Sequence, residues 1–240
     1  MFKLMRFALG LFISAVAFIQ SSAIAAPPEF VYRMDTRPPD QIFTYGFSSW
    51  GSNDNVFAHT SGYSCVEVDF NQRNSAFIST SADLGWARTQ ALIYSLTFPN
   101  QNIYLYRIRA NDYFYNAVES LNFYGENTPG VRITDLNRIP ARNATEYLAF
   151  RRIEPGSIAG ATMFNNGASS ERPNPGYIHS DTHANNIPYG GSSDNTFNRL
   201  TWVSFLPFVG ACFGDLGGDK RATHKSYVIT LESIAVPALE

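Results

Sequence analysis

The apolar sequence of this chain comes in short runs, most of them cut off before they could build a long helix. Phe30-Val31-Tyr32-Arg33-Met34-Asp35 has the β-branched and aromatic content of a strand and is halted by Pro38-Pro39. Ser75 to Ser81 and Ile158 to Phe164 read as further strands, and Ala144 to Arg152 as an ordered segment bounded by Pro140 and Pro155. From Ile103 to Ile108, Ile103, Leu105 and Arg107 alternate with Tyr104, Tyr106 and Ile108, the period of a strand. Asp40 is expected to cap a short helical turn through Phe43 that ends at Gly46. Only Ala82 to Leu96 shows the spacing of a longer helix, with Trp86, Ala87, Leu92 and Tyr94 on one broad apolar side. Leu200 to Phe213 is apolar and reads as helical on either side of Pro207, and Ser226 to Val236 reads as a last strand. Short strands mixed with few helices indicate an α+β fold in one domain, with no internal repeat.

Two stretches stand apart. Lys3 and Arg6 precede an apolar run from Phe7 to Phe18, followed by Ala23-Ile24-Ala25. A charged start, a short apolar middle and small residues at alternate positions predict a secretory signal peptide over residues 1–25. The run falls short of the roughly 20 apolar residues that a membrane-spanning helix needs. The domain proper is then 26–240. Asn165 to Asn198 is rich in Asn, Gly, Ser and Pro and is expected to be a long, irregular surface segment.

The net charge of −2 gives no electrostatic case for a nucleic-acid partner. The chain holds two cysteines, Cys65 and Cys212. In an exported protein two cysteines usually pair. A bridge closing so long a loop is worth about 4–5 kcal/mol on the chain-entropy model. It could serve structure alone or act as a redox gate.

Four places carry candidate chemistry. Arg33 sits inside an otherwise aromatic and apolar strand, where a guanidinium is costly to bury without an anionic partner. It is either a structural ion pair, with Asp35 or Glu146, or a fixed fork for a phosphate. His59 lies in the polar loop Asn53-Asp54-Asn55-Val56-Phe57-Ala58-His59, as a solvated or structural residue or as a general base or hydrogen-bond donor. Ser79-Thr80-Ser81 ends a strand, where hydroxyls satisfy turns or hold a carboxylate in one rotamer. Glu146 stands among small and apolar residues, as an ion-paired surface group or as a carboxylate that stabilises a cationic sugar-like transition state. His179 and His183 stand four residues apart in loop-like sequence with no third ligand evident, so no metal site is expected. A Rossmann glycine fingerprint, a Walker loop and a Gly-x-Ser-x-Gly elbow are all missing from the sequence.

Taken in order, these blocks resemble a known family. Tyr32-Arg33-Met34-Asp35-Thr36-Arg37-Pro38-Pro39, Gly46-Phe47, Trp50-Gly51, Asn53-Asp54-Asn55-Val56 before His59, and Ser64-Cys65 follow one another as in the catalytic (A) subunits of pertussis toxin and its ArtAB-type and typhoid toxin relatives. Asn74-Ser75-Ala76-Phe77-Ile78-Ser79-Thr80-Ser81, Ile108-Arg109-Ala110-Asn111-Asp112, Glu146-Tyr147-Leu148-Ala149-Phe150-Arg151-Arg152-Ile153, Gly210-Ala211-Cys212 and Glu232-Ser233-Ile234-Ala235 continue the match.

The resemblance implies an ADP-ribosyltransferase fold, two small, mainly antiparallel sheets around a cleft for NAD+. It implies a secreted toxin subunit that moves ADP-ribose from NAD+ to a host protein, with a G protein α subunit as the leading acceptor. Glu146, His59 and Ser79 would be catalytic, Arg33, Trp50, Ser79 and Tyr32 would bind NAD+, and no metal would be needed. Cys65 and Cys212 would form the family's disulfide, whose reduction frees the site. The region from about residue 200 would dock on a pentamer of B subunits that binds host glycans. Ala144 departs from the Gln or Glu that the family often carries two residues before the glutamate, which opens the choice of acceptor side chain. An NAD+ glycohydrolase would share every core residue, and a secreted carbohydrate-binding module would suit the 19 Phe and 13 Tyr.

Overall fold

The computed structural model describes residues 26–61, 64, 74–192 and the backbone of 214–215. The predicted signal peptide, Cys65, Cys212 and the expected elements at 200–213 and 226–236 lie outside these residues.

The described chain runs β1 (Phe30–Asp35), α1 (Pro39–Tyr45), β2 (Phe47–Ser48), α2 (Val56–Thr60), β3 (Phe77–Ser81), α3 (Leu84–Thr97), β4 (Ile103–Arg109), β5 (Phe114–Asn116), α4 (Ala117–Asn127), α5 (Asp135–Asn143), β6 (Glu146–Phe150), β7 (Arg152–Ile153), β8 (Ile158–Asn165), β9 (Ala168–Pro173) and β10 (Gly214–Asp215). Helix starts follow local chemistry. Asn55, Asp83 and Asn116 each accept a hydrogen bond from a backbone N–H of the first turn of α2, α3 and α4. The expected cap at Asp40 is replaced by Pro38, because Pro39 with its fixed φ starts α1 and leaves Asp40 inside the first turn. Gly46 ends α1 with φ +69°, and its N–H donates to the Ile42 carbonyl.

The strands order β5-β6-β3-β1-β4-β8-β9, with all of these neighbours antiparallel, and β2 pairs with β7 separately. The long path is two ladders joined at one point. β1 shares six residue pairs with β4 but only Tyr32↔Ser81 with β3. Beyond that pair β1 and β3 diverge. β4 takes the other edge of β1 along its whole length, so Gly214–Asp215, parallel to Met34–Asp35, runs along the β1 edge that β3 has left.

The alternation read along Ile103–Ile108 sorts residues into two core layers rather than core and solvent. Tyr104, Tyr106 and Ile108 join Val31, Phe47 and Ile153, while Ile103 and Leu105 join Met34 under α3. β4 has a strand on each edge and side chains packed on both faces, so a pattern of alternating exposure could not survive. A third cluster, Val56, Phe77, Ala117, Leu121, Ala141 and Leu148, seats α2, α4 and α5 against β3 and β6.

Two further sequence expectations change. α4 and α5 add helices where few were expected. The Asn165–Asn198 segment starts as strand β9, paired with β8 from Gly160 to Asn165. From residue 174 to 192 it is irregular yet fastened. The Asn185 N–H donates to the Phe114 carbonyl, Tyr189 N–H to Ser120 Oγ, and Tyr189 OH to Asp54 Oδ2. Asn and Ser, which read as loop in sequence, here cap backbone groups of neighbouring elements.

Candidate active site

The divergence of β1 from β3 gathers the candidate residues. Arg33, buried on β1, spans the gap, and its Nη1 donates to the Ser79 carbonyl at 2.9 Å. Its Nε lies 3.8 Å from Asp35 Oδ2. Asp35 is itself fully buried and takes a two-pronged contact from Arg37, Nε to Oδ1 at 2.9 Å and Nη2 to Oδ2 at 2.6 Å. Arg33 and Arg37 both stand over the Phe47 ring, at 5.5 and 5.3 Å from its centroid. Counted together, Arg33, Arg37 and Asp35 carry one net positive charge. The Tyr106 hydroxyl donates to the Arg37 carbonyl at 2.6 Å, and burial, then the Asp35 charge, holds this phenol far above the ordinary tyrosine range.

On the other ladder, His59 is not in a loop. It belongs to α2, one short turn made possible by the Asn55 cap and by apolar Val56 and Ala58, which are buried on its inner side. Polar flanks hid that turn from the sequence. The ring is buried, stands edge-on to Phe77 with centroids 5.5 Å apart, and lies 2.7 Å from Ser79 Oγ through Nε2. Ser79 Oγ donates to Glu146 Oε1 at 2.5 Å, and His59 Nε2 is 3.7 Å from the same oxygen. Side-chain exposure is 1 % at His59 and 11 % at Glu146, so the chain opens to solvent at the carboxylate.

Glu146 is the first residue of β6, and register brings it to Ser79. Ser81 pairs with Glu146 and Ser79 with Leu148, so Ser79 and Glu146 are diagonal neighbours on one face. The turn before it is held tightly. Thr145 has φ +44°, its carbonyl accepts from the Ala82 N–H, and Ser81 Oγ donates to the Ala144 carbonyl at 2.6 Å. Ala144 is buried at the end of α5 while Asn143 and Thr145 are exposed on either side.

The remaining sequence candidates lie further out. Trp50 is 45 % exposed, in a loop fixed by the Ser49 N–H to the Arg151 carbonyl and the Gly51 N–H to the Ser75 carbonyl. The Tyr32 ring packs against the cluster under α3, while Arg33 turns to the Phe47 side. His179 rests against Tyr177, with ring centroids 4.6 Å apart, within the irregular stretch after β9. Two residues at the site were not singled out from sequence. Arg37 could have been suspected from its i, i+2 spacing to Asp35, whereas nothing local marks Ser75, whose Oγ lies 2.7 Å from His59 Nδ1.

The Arg, His, Ser and Glu that the sequence singled out thus meet where the antiparallel sheet divides. Comparison with known proteins supplies the family. The family profile described as "Pertussis toxin, subunit 1" matches residues 26–223, and the chain belongs to that family. It is 33 % identical over 241 residues to pertussis toxin subunit 1 of Bordetella pertussis, covering 87 % of this chain and 86 % of that one. A 95-residue stretch is 39 % identical to the ADP-ribosylating toxin CARDS of Mycoplasma pneumoniae, 38 % of this chain and 15 % of that protein. Among solved structures, EcPltA superposes with a TM-score of 0.58 at 32 % identity, covering 68 % of this chain and 95 % of that one.

Proposed function

We propose that the protein is the catalytic subunit of a secreted toxin that transfers ADP-ribose from NAD+ to a host protein, through Glu146 at the solvent end of the His59–Ser79–Glu146 chain. One observation carries the reading. A carboxylate is fixed by a buried hydroxyl on one side of a divided sheet, and the Arg33–Arg37 pair lies on the other. NAD+ presents the matching groups, a diphosphate and a ribose whose bond to nicotinamide is to be broken.

When that bond breaks, its electron pair leaves on the nicotinamide nitrogen and positive charge develops over ribose C1′ and the ring oxygen, as in glycoside hydrolysis. The Glu146 carboxylate stabilises that charge as it forms, and accepts a hydrogen bond from the 2′-hydroxyl. Ser79 takes up one carboxylate oxygen and so limits the carboxylate's rotation. Arg33 holds the diphosphate so that C1′ meets its nucleophile in line. His59 fixes Ser79 from beneath, and Trp50, on its partly exposed loop, lines the NAD+ site. The nucleophile adds to C1′ as nicotinamide departs, and its proton passes to water at the solvent-open end of the site.

The acceptor is a host protein, with an inhibitory Gα subunit first on the strength of family likeness. Ala144 is buried, so acceptor choice falls to the exposed Asn143 and Thr145 around it. The chain reaches the periplasm by its leader, pairs with a glycan-binding B pentamer, and acts in the host cytosol. There, reduction of a Cys65–Cys212 bridge frees the site. Gly214–Asp215, just beyond Cys212, run beside Met34–Asp35 on the edge of β1 next to the gap, which supports that role for the bridge.

The test is labelling of a host-cell lysate with tagged NAD+, using reduced protein and a Glu146→Asp variant. Labelled host bands that vanish in the variant are expected. Release of nicotinamide without any protein labelling would make water the acceptor and the protein a glycohydrolase. Loss of both activities in the wild type would overturn the enzymatic reading.

A further inference from the structure

The hydrogen-bond chain does not stop at His59. Ser75, fully buried, places its Oγ 2.7 Å from His59 Nδ1 and accepts from the Phe77 N–H at 3.1 Å. Its backbone is clamped from two sides. The Ser75 N–H donates to the Ser64 carbonyl, and its own carbonyl accepts from the Gly51 N–H. Gly51 makes that approach possible, since a Cβ there would come within 2.7 Å of the Asn74 carbonyl oxygen.

The protons along the chain can be assigned by counting donors. A carboxylate only accepts, so the single hydroxyl proton of Ser79 goes to Glu146 Oε1. Ser79 Oγ must therefore accept from His59, and Nε2 carries a proton. At the other ring nitrogen, Ser75 Oγ already accepts from the Phe77 N–H. Among the described residues the acceptor within reach of its hydroxyl proton is Nδ1. A proton on Nδ1 would point at an oxygen whose own proton then had nowhere to go, leaving a buried donor unsatisfied.

We propose that Ser75 is a positioning residue that holds His59 as the neutral tautomer protonated on Nε2. In that tautomer, donation runs one way, Ser75 to His59 to Ser79 to Glu146. Each side chain then has one orientation, and Glu146 keeps its second oxygen for the substrate. Ser75 touches neither substrate nor carboxylate. It acts through the ring, whose tilt is also fixed by the edge of Phe77. The inference builds on the reading of Glu146 given above.

The test is long-range 1H–15N NMR of the histidine rings in the full chain near neutral pH, with His59 among the four histidines assigned by a His59→Gln spectrum. The expected wild-type signature is a protonated Nε2 and a bare Nδ1. A protonated Nδ1, alone or in an imidazolium, would overturn the proposal without any variant at Ser75. In Ser75→Ala the signature should give way to mixed tautomers. The kcat for NAD+ cleavage should fall about tenfold, the order of one buried hydrogen bond, with KM for NAD+ unchanged. Ser75→Thr, which keeps the hydroxyl, should restore both. A Ser75→Ala protein that keeps the wild-type tautomer and kcat would also overturn it. Failure of the underlying site reading looks different: NAD+ cleavage would be indifferent to Glu146→Gln while the His59 signature stayed in place.

Discussion

Glu146 and Arg33 divide the work in a way that kinetics can separate. In the proposed mechanism Glu146 faces charge that exists only in the transition state, so Glu146→Gln is expected to lower kcat for nicotinamide release about 10²–10³-fold with little change in KM. Arg33, in the same mechanism, would meet a diphosphate present in substrate and transition state alike. Arg33→Lys should therefore raise KM for NAD+ more than it lowers kcat, because an ammonium cannot reproduce the fork. The same change removes the bond from Nη1 to the Ser79 carbonyl. A loss of about 1.5–3 kcal/mol is expected in denaturant unfolding.

At the scale of elements, α2 has five residues, too few to stand alone, and its position is set by what surrounds its first turn. Asn55 caps it through Oδ1 and ties it to α4 through Nδ2 and the Tyr124 hydroxyl at 3.0 Å. Ser192 Oγ accepts from the Val56 N–H and donates to the Asp54 carbonyl. Asn55→Ala should cost about 1–2 kcal/mol in stability and lower NAD+ cleavage, since His59 rides on this turn.

Tyr189 fastens the same corner. Burial, then its bond to Asp54, raises its phenol well above the ordinary 10.0. The folded state thus keeps a proton that the unfolded state loses. Stability from this group is complete below pH 10 and is lost as pH climbs beyond it. Alkaline unfolding monitored by circular dichroism should show a steeper decline above pH 10 in wild type than in Tyr189→Phe. Gly46 tests another element. A Cβ there would fall 2.1 Å from the Ile153 carbonyl oxygen, at φ +69°. Gly46→Ala should separate β2 from β7 and lower the melting temperature by several degrees, beyond the roughly 1–3 kcal/mol of backbone strain at φ +69°, ψ −157°, a region open essentially to glycine alone.

For the whole molecule, the joint between the two ladders is a single residue pair, Tyr32↔Ser81, and the candidate site sits where they part. A bridge from Cys65 to Cys212 would tie the segment next to Ser64, and so the backbone beneath Ser75, to the stretch leading into Gly214. Reductant is expected to raise NAD+ cleavage by the wild type, and a Cys65→Ser/Cys212→Ser protein should be equally active with and without it. If reductant left the wild-type rate unchanged, the bridge would be structural only.

The sequence by itself determined most strands, the long helix and the stops between them, because these follow from side chains near one another in the chain. Phe30–Asp35 needed only its aromatic and β-branched content, and α1 was legible as a short turn ending at Gly46, although it starts at Pro39 and not from an Asp40 cap. It also showed Arg33, His59, Ser79 and Glu146 as residues worth explaining, since a charge inside an apolar strand is conspicuous whatever surrounds it. The tertiary structure decided which of them meet. Arg33 reaches Ser79 across 46 residues and Ser79 reaches Glu146 across 67, distances at which only strand register sets the partner. Packing of α2 against the segment before β3 put Ser75 beside His59, whereas the two-pronged Arg37–Asp35 contact is local, between residues two apart. The turn of α2 was hidden because its helicity comes from burial against α4 and from the tie at Ser192, not from its own five residues. Hydrogen bonds at a site of this kind are properties of a packed, nearly dry interior, and a linear pattern carries no information about which buried donor ends beside which acceptor.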